Sequence, residues 1–366
     1  MIRITHLHIY ILTSLVFSSC ETNLTNNKEL RSSNNKIVYD IGFPIRSYQY
    51  FKNERSEYLS FIDYTSYRKV SINSIDGIHR STIDLNHLIE KENEDFNSFY
   101  TLNNDTIALL SKYSNKVYLI NQRGNIILKK DYSDLLLNGL ELYPPLSIDK
   151  GVLRTGTRIY HSYFDTLSKS DINRIQNHSA KLFIDSHFVK QSRSSYLTLD
   201  SLYSRFTNDD EMSLETKRYI FVDDKIYFHS IFSDSVYIFN DDYSLEDVKQ
   251  ISSNEFDINL KPTKFNVDKN NVKLSSKNAW YHSNVWKLLY DQYRNVFYCF
   301  IRGPYEENKF PFSIIIYDLD FNKLHEKRFD KDVYKPNGFV GSKGLYIERH
   351  GENEMKKKEF EIFNYE

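Results

Sequence analysis

Both tryptophans of the chain fall in one short stretch, Trp280-Tyr281-His282 followed by Trp286, Tyr290 and Tyr293. Flat aromatic rings on a rim can stack on sugar rings or anchor a partner protein. The same rings can instead cap a core, with their polar tips left wet. Arg154 and Arg302 lie close to inner-strand positions of the repeat described below. There each would point into a central channel and meet an anionic group, or pair with a neighbouring acid. Trp280, Tyr281, His282, Trp286, Tyr290, Arg154 and Arg302 are the candidate binding residues.

Catalytic and metal-binding patterns are missing from the chain. It has no His-Glu-x-x-His, no Gly-x-Ser-x-Gly and no phosphate-cradling glycine loop in a strand-to-helix context. The eleven histidines show no ligand spacing, and two cysteines cannot make a thiolate zinc site. Asp318-x-Asp320-x-Asn322 imitates the start of a calcium loop, but Phe329 stands where the bidentate glutamate belongs. Its place between two apolar runs makes it a hairpin turn. Acid groups such as Glu92/Glu94/Asp95 and Asp209/Asp210/Glu211 sit in polar stretches and read as solvated. No catalytic residue, metal ligand or cofactor is assigned.

Cys20 carries a different chemistry. Arg3 precedes the apolar run Ile9–Phe17, and Ser18-Ser19 leads into Cys20. One cation, a short apolar stretch and small residues before a cleavage point are the parts of an export signal. The run is too short for a bilayer core, which needs roughly 20 residues. Phe17-Ser18-Ser19-Cys20 resembles a bacterial lipoprotein signal, which implies removal of residues 1–19 and a lipid on Cys20. Residues 20–35 then read as a flexible polar tether, and 36–366 as the folded domain. The expected place is the bacterial envelope, anchored by lipid alone at the periplasmic face or the cell surface.

The whole-chain balance agrees with a folded exported domain. The 366 residues carry 48 Lys+Arg against 49 Asp+Glu, a balance that argues against nucleic acid as the partner, since neutralising its phosphates needs a basic face. With 40% hydrophobic and 15% aromatic residues, the chain can bury a large core. Once Cys20 is acylated, Cys299 is the remaining thiol, in the apolar run Val296–Ile301, where it acts as a small hydrophobe. Stability must then come from the core rather than from disulfides.

These residues have to be positioned by a repeat. Its clearest copy runs through Ser98–Leu102, Thr106–Leu110, Lys116–Ile120 and Asn125–Leu128, four short strands with Gly124 in a tight turn. Second strands recur near residues 58, 107, 151, 226, 297 and 345. Three of those intervals match the period of about 40–50 residues found in propeller blades, and two are lengthened by insertions. The expected fold is therefore an all-β, six-bladed propeller of four-stranded antiparallel blades. Its last copy lacks a fourth strand, and Lys36–Gly42 is expected to supply it and close the ring, removing exposed edges. Asp84–Asp95 and Ser168–Asn177 are the two helix-like stretches.

The repeat resembles the TolB-like six-bladed propellers. More narrowly, Tyr290-Asp-Gln-Tyr-Arg294-Asn-Val-Phe-Tyr-Cys299 is similar to a Tyr-Asp-x-x-Arg-x-x-Tyr-Tyr-Arg theme in a family of bacterial propeller lipoproteins of unknown function. Phe297 and Cys299 depart from the theme. Ser147-Ile-Asp149-Lys-Gly151 is similar to the Asp-box of sialidase propellers, but Arg154 stands at its aromatic position, and the segment reads as an ordinary turn of the repeat. The resemblance implies a fold without an activity. The expected function is a monomeric, lipid-anchored binding or scaffolding module for an envelope protein, peptide or glycan. The alternative is a propeller hydrolase or lyase acting on glycans, which requires acids converging beside an arginine.

Overall fold

The computed structural model describes residues 28–366, apart from 54–55, 64–67, 113, 135–139, 150–151, 160–181, 186–194, 198–216, 231–233, 241–243 and 259–281. It is an all-β propeller of four-stranded antiparallel sheets. Strand β1 (Leu30–Asp40) comes first, then a sheet of β2 (Ile45–Asn53), β3 (Ser56–Asp63), β4 (Lys69–Ser74) and β5 (His79–Asp84). The next contains β6 (Phe96–Asn103), β7 (Thr106–Ser111), β8 (Lys116–Asn121) and β9 (Ile126–Asp131). The third has β10 (Leu140–Asp149), β11 (Val152–Ile159), β12 (Leu182–Asp185) and β13 (Ser195–Leu197). The fourth has β14 (Lys217–Val222), β15 (Lys225–Ser230), β16 (Ser235–Phe239) and β17 (Leu245–Gln250). The fifth has β18 (Asn284–Asp291), β19 (Val296–Arg302), β20 (Phe312–Tyr317) and β21 (Lys323–Phe329). Strands β22 (Tyr334–Gly341), β23 (Gly344–Arg349) and β24 (Lys357–Tyr365) form the last sheet, with β1 on its outer edge.

In the blades whose side chains are described, the middle strands are the most buried. All seven residues of β19 and all six of β20 are buried, whereas β9 alternates between half-buried and exposed positions and β17 is exposed at five of its six. Continuous apolar strands packed on both faces give this pattern, and outer strands with one wet face alternate. Apolar cores lie between neighbouring blades. Ile62, Ile72, Phe96 and Leu109 join the first two, and Leu110, Val117, Leu142 and Leu153 join the second to the third. Tyr227, Ile238, Phe297 and Cys299 join the fourth to the fifth, and Tyr298, Ile314, Leu345 and Phe363 the fifth to the last. Tyr39, Phe61, Phe339 and Phe360 join the last to the first.

The expectation of a six-bladed propeller, closed by the N-terminal strand pairing with the C-terminal blade, is corrected here. Five sheets have all four strands at least five residues long. The sheet β10–β13 is irregular, with outer strands of only four and three residues. No apolar core joins it to β14–β17 among the described residues. The reason is in the chain: the order β10-β11-β12-β13 is kept, but a long polar insertion separates β11 from β12 where the other blades have shorter connections. Strand β1 does pair with β24, from Leu30 opposite Tyr365 to Asp40 opposite Lys357. That ladder completes the outer edge of one sheet. Joining blade to blade falls to the apolar cores instead.

Two boundaries also move. Strand β1 starts at Leu30, inside the stretch read as tether, because Leu30 is buried with Phe363 and Glu29 exchanges backbone hydrogen bonds with Glu366. The helix expected at Asp84–Asp95 is the shorter α1 (Asn86–Glu92), whose Leu88 and Ile89 enter the first core. It ends at Asn93, which takes a left-handed conformation as helix-terminal residues do. The second helix-like stretch, Ser168–Asn177, lies outside the described residues. Among the described residues no helix is long and apolar enough to cross a membrane.

Candidate ligand cleft on the inner strands

The first strand of each blade is the innermost, and these strands pack on one another: β2 on β6, β6 on β10, β14 on β18, β18 on β22 and β22 on β2. Most start irregularly. Register shifts occur at Ile45/Ser47 in β2, Phe96/Ser98 in β6, Tyr143/Leu146 in β10, Val285/Lys287 in β18 and Tyr334/Gly338 in β22. Bulges of this kind bend a strand and re-aim the side chains that follow. After the shifts, alternation places Tyr48 and Tyr50 on one side of β2, and Lys287 and Leu289 on one side of β18.

Those side chains, with Tyr293, Gly338 and Phe339, line an open cleft of about 300 Å³ between β2, β18 and β22. Aromatic rings make its walls. Tyr50 stacks on Phe339 with centroids 5.7 Å apart, and Phe339 stacks on Tyr346 at 4.6 Å. Tyr48 meets Phe339 edge-on.

Lys287 is the cleft's cation. Its Nζ donates to the Gly338 carbonyl at 2.6 Å and to Asn337 Oδ1 at 3.0 Å. Both acceptors are neutral. Burial pushes the ammonium down to about 8, against the pull of Glu348. Glu348 reaches it across one amide, since Asn337 Nδ2 donates to Glu348 at 3.0 Å. Glu348 is itself buried and takes Lys358 at 2.9 Å and Lys335 at 3.2 Å. Burial would raise its carboxyl, but those two cations outweigh it and hold the group below the usual range. Gly338 has a steric role as well: a Cβ there would come within 2.3 Å of the Tyr346 carbonyl oxygen. Any side chain would push β22 off β23 and displace the carbonyl that holds Lys287.

A second carboxylate ties the mouth together. Glu57, at the start of β3, accepts from Tyr50 at 2.5 Å and Tyr293 at 2.8 Å. It also accepts from the Ser342 amide at 2.8 Å and the Ser342 hydroxyl at 2.5 Å. Three hairpins, from the first, fifth and last blades, therefore converge on one acid. Burial would raise the Glu57 carboxyl, yet the bonds from Ser342, Tyr50 and Tyr293 leave it lowered.

The segment Tyr290–Arg294 is the β18–β19 turn at this mouth. Asp291 is fully buried and accepts from the Tyr293 and Arg294 amides, from Arg294 Nη1 at 3.1 Å and from Tyr298 Oη at 3.2 Å. Asn295 completes the turn with positive φ. The aspartate and arginine of the family-like motif thus build a rigid turn that presents Tyr290 and Tyr293 to the cleft.

The other candidates scatter. Tyr290 lines the cleft and packs on Phe297, with its hydroxyl on Asn295. Trp286, at the bulge of β18, goes elsewhere: the Arg302 guanidinium lies 4.0 Å above its ring and 4.2 Å from the Phe310 ring, with Arg218 at 5.5 Å from Trp286. Arg302 is buried, and burial followed by the nearby Arg218 lowers its pKa to about 10. His282 is exposed beside β18. Arg154 sits on β11, a second rather than an innermost strand, opposite Ser147 and Ile184. Trp280, Tyr281 and Cys20 lie outside the described residues. Asp318 caps a β20–β21 hairpin by accepting from the Asp320 and Asn322 amides. No cluster of three or more metal-ligating side chains occurs among the described residues.

Sequence reasoning missed Tyr48, Tyr50, Lys287, Phe339 and Glu57. One signal was available: Lys287 is the lone charge within Val285–Tyr290, an otherwise apolar and aromatic run. Among the described residues that line the cleft none is an acid, so they offer no carboxylate pair of the kind glycoside hydrolysis uses.

The chain matches the profile of a family described as Domain of unknown function (DUF4221) over residues 90–328. Its fold is similar to the crystal structure of a DUF4221 member from Bacteroides vulgatus, with a TM-score of 0.69 at 17% identity over 93% of this chain and 98% of that one. A putative exported protein from Bacteroides fragilis aligns at a TM-score of 0.49 and 12% identity, over 94% and 97% of the two chains. A streptogramin B lyase aligns at 0.45 and 9% identity, over 90% of this chain and 98% of that one. No curated protein matches the sequence.

Proposed function

The chain belongs to the DUF4221 family, and we propose that it is a lipid-anchored binding module of the bacterial envelope, a TolB-like propeller that reads its ligand in the inner-strand cleft. The observation that carries this reading is the cleft itself: about 300 Å³, walled by tyrosine and phenylalanine rings, with one ammonium and no acid among its described lining residues. Concave, mostly apolar sites with a few placed polar groups are where small ligands and chain ends bind. The rim is rigid, because the Glu57 and Asp291 hydrogen-bond knots hold its hairpins. That pre-organisation lowers the entropic cost of binding.

The anchoring half of the proposal rests on the residues before the domain. In this reading residues 1–19 are removed and Cys20 is acylated, and the polar stretch before Leu30 gives the propeller reach from the membrane. The partner is an envelope protein, peptide or glycan.

One experiment addresses the cleft. Full-length protein in detergent micelles is used to capture partners from envelope extract, in parallel with a Leu289→Trp form that fills the cleft. Loss of the captured species with an unchanged melting curve supports the reading, and equal capture by both forms overturns it. Labelling with a radioactive fatty acid checks the anchor, and Cys20→Ser should abolish the label.

A further inference from the structure

An ammonium has three N–H donors. In Lys287 two of them are fixed on neutral oxygens, Gly338 O and Asn337 Oδ1, and the side chain lines the cleft. The nearby acid Glu348 is engaged by Lys335, Lys358 and the Asn337 amide. The cation therefore has no direct counter-ion in its aromatic enclosure, Glu348 acting on it only across the Asn337 amide, and the Tyr48 ring lies 6.0 Å from Nζ. Burying a charge without a direct counter-ion is costly unless something supplies one. The walls that remain are flat and apolar, formed by Tyr50, Leu289 and Phe339.

We propose that the cleft binds a small planar carboxylate, its carboxyl group taking the third N–H of Lys287 and its flat remainder packing on the Tyr50–Leu289 wall. This rests on the cleft being the recognition site. A free aromatic acid and the C-terminal carboxylate of a peptide ending in an aromatic residue offer the same chemistry. The volume of about 300 Å³ suits either, at the small end of known ligand sites. A charge-assisted bond to the carboxylate would be shorter and about twice as strong as a neutral one.

The test is calorimetric titration of the full chain with 3-(4-hydroxyphenyl)propionate and its amide, and with Gly-Gly-Tyr bearing a free or an amidated C-terminus. The expected result is at least tenfold tighter binding of the acid than of its amide in one of the two pairs, which also identifies the source. That preference should shrink between pH 7 and pH 9.5 as the amine loses its proton. Lys287→Met and Lys287→Gln should each abolish it, the glutamine keeping a donor for Gly338 so that a folded control exists. Equal affinity for acid and amide, or a preference that survives both substitutions, overturns the proposal while leaving a ligand-binding cleft in place. Failure of all four probes to bind at about millimolar concentration overturns it too. The cleft-filling capture experiment then judges the broader reading separately.

Discussion

Replacing Lys287 with methionine should leave the protein at pH 7 as stable as before, or slightly more so. Burial lowers the Lys287 ammonium from 10.5 to about 8. Each unit corresponds to about 1.4 kcal/mol, so holding the charge in the folded state costs about 3 kcal/mol at pH 7. Against this, the substitution removes the Lys287 donor from the Gly338 carbonyl and from Asn337 Oδ1, which keeps the Gly338 amide, a loss of about 1–3 kcal/mol. The two effects nearly cancel, with the balance on the side of the variant. The sign with pH separates them. Because the folded pKa is depressed, the unfolded chain binds more protons between pH 8 and 10.5, and wild-type stability rises across that window. By pH 9 wild type should have recovered about 1 kcal/mol relative to Lys287→Met, a difference in which the other titrating groups cancel. Urea unfolding of both proteins at pH 7, 8 and 9, followed by tryptophan fluorescence, measures it. A variant that loses more than about 2 kcal/mol at pH 7, by an amount that does not change with pH, would refute the argument and make Lys287 an ordinary structural donor.

Glu57→Gln should lower stability by about 1–3 kcal/mol, seen as a lower Tm, because an amide cannot accept all four bonds from Tyr50, Tyr293 and Ser342. Glu57, Glu326, Glu348 and Glu361 all have depressed carboxyl pKa values, so their stabilisation is complete above about 4.5 and is lost as pH falls below it. An acid titration by circular dichroism should therefore unfold the wild type from there downward, and Glu57→Gln at a higher pH than wild type. Deleting residues 1–41 removes buried Leu30 and Tyr39, each worth about 1.5–3 kcal/mol, and bares the β24 edge. Size-exclusion chromatography should show aggregation, and a folded monomer with an unchanged Tm would contradict the role given to β1. Cys299 is fully buried and its thiol is raised by desolvation, so a disulfide reagent should leave it untouched until guanidinium unfolds the chain.

The hairpin order of the blades was legible because the turns and the alternation are local. Asn121 caps its own turn through bonds to the Arg123 and Asn125 amides, and Asp318 does the same at its hairpin. Strand β1 was only half legible for a physical reason. An outer strand contributes backbone bonds more than apolar contacts, so between Leu30 and Ile37 its side chains are polar and none is buried. A pattern of that kind reads as tether until its partner β24 is known. The third sheet was misjudged because regular spacing was extended across an insertion that carries no such signals.

The site was harder to read because its density is spatial rather than sequential. The aromatics that cluster along the chain divide between two places. Trp286 goes to a cation stack with Arg302, and Tyr290 goes to the cleft with residues from β2 and β22. No window of sequence contains Tyr50, Lys287 and Phe339 together. What each strand shows by itself is a local inconsistency: a lysine in an apolar run, or a glycine in a strand where a side chain would strike the neighbouring carbonyl. Such departures lower stability where they occur, and proteins keep them where function requires them. Lys287 and Gly338 are the two departures that touch each other, through a 2.6 Å hydrogen bond. The same argument that makes the lysine unfavourable for folding therefore marks it as the residue the cleft is built to present.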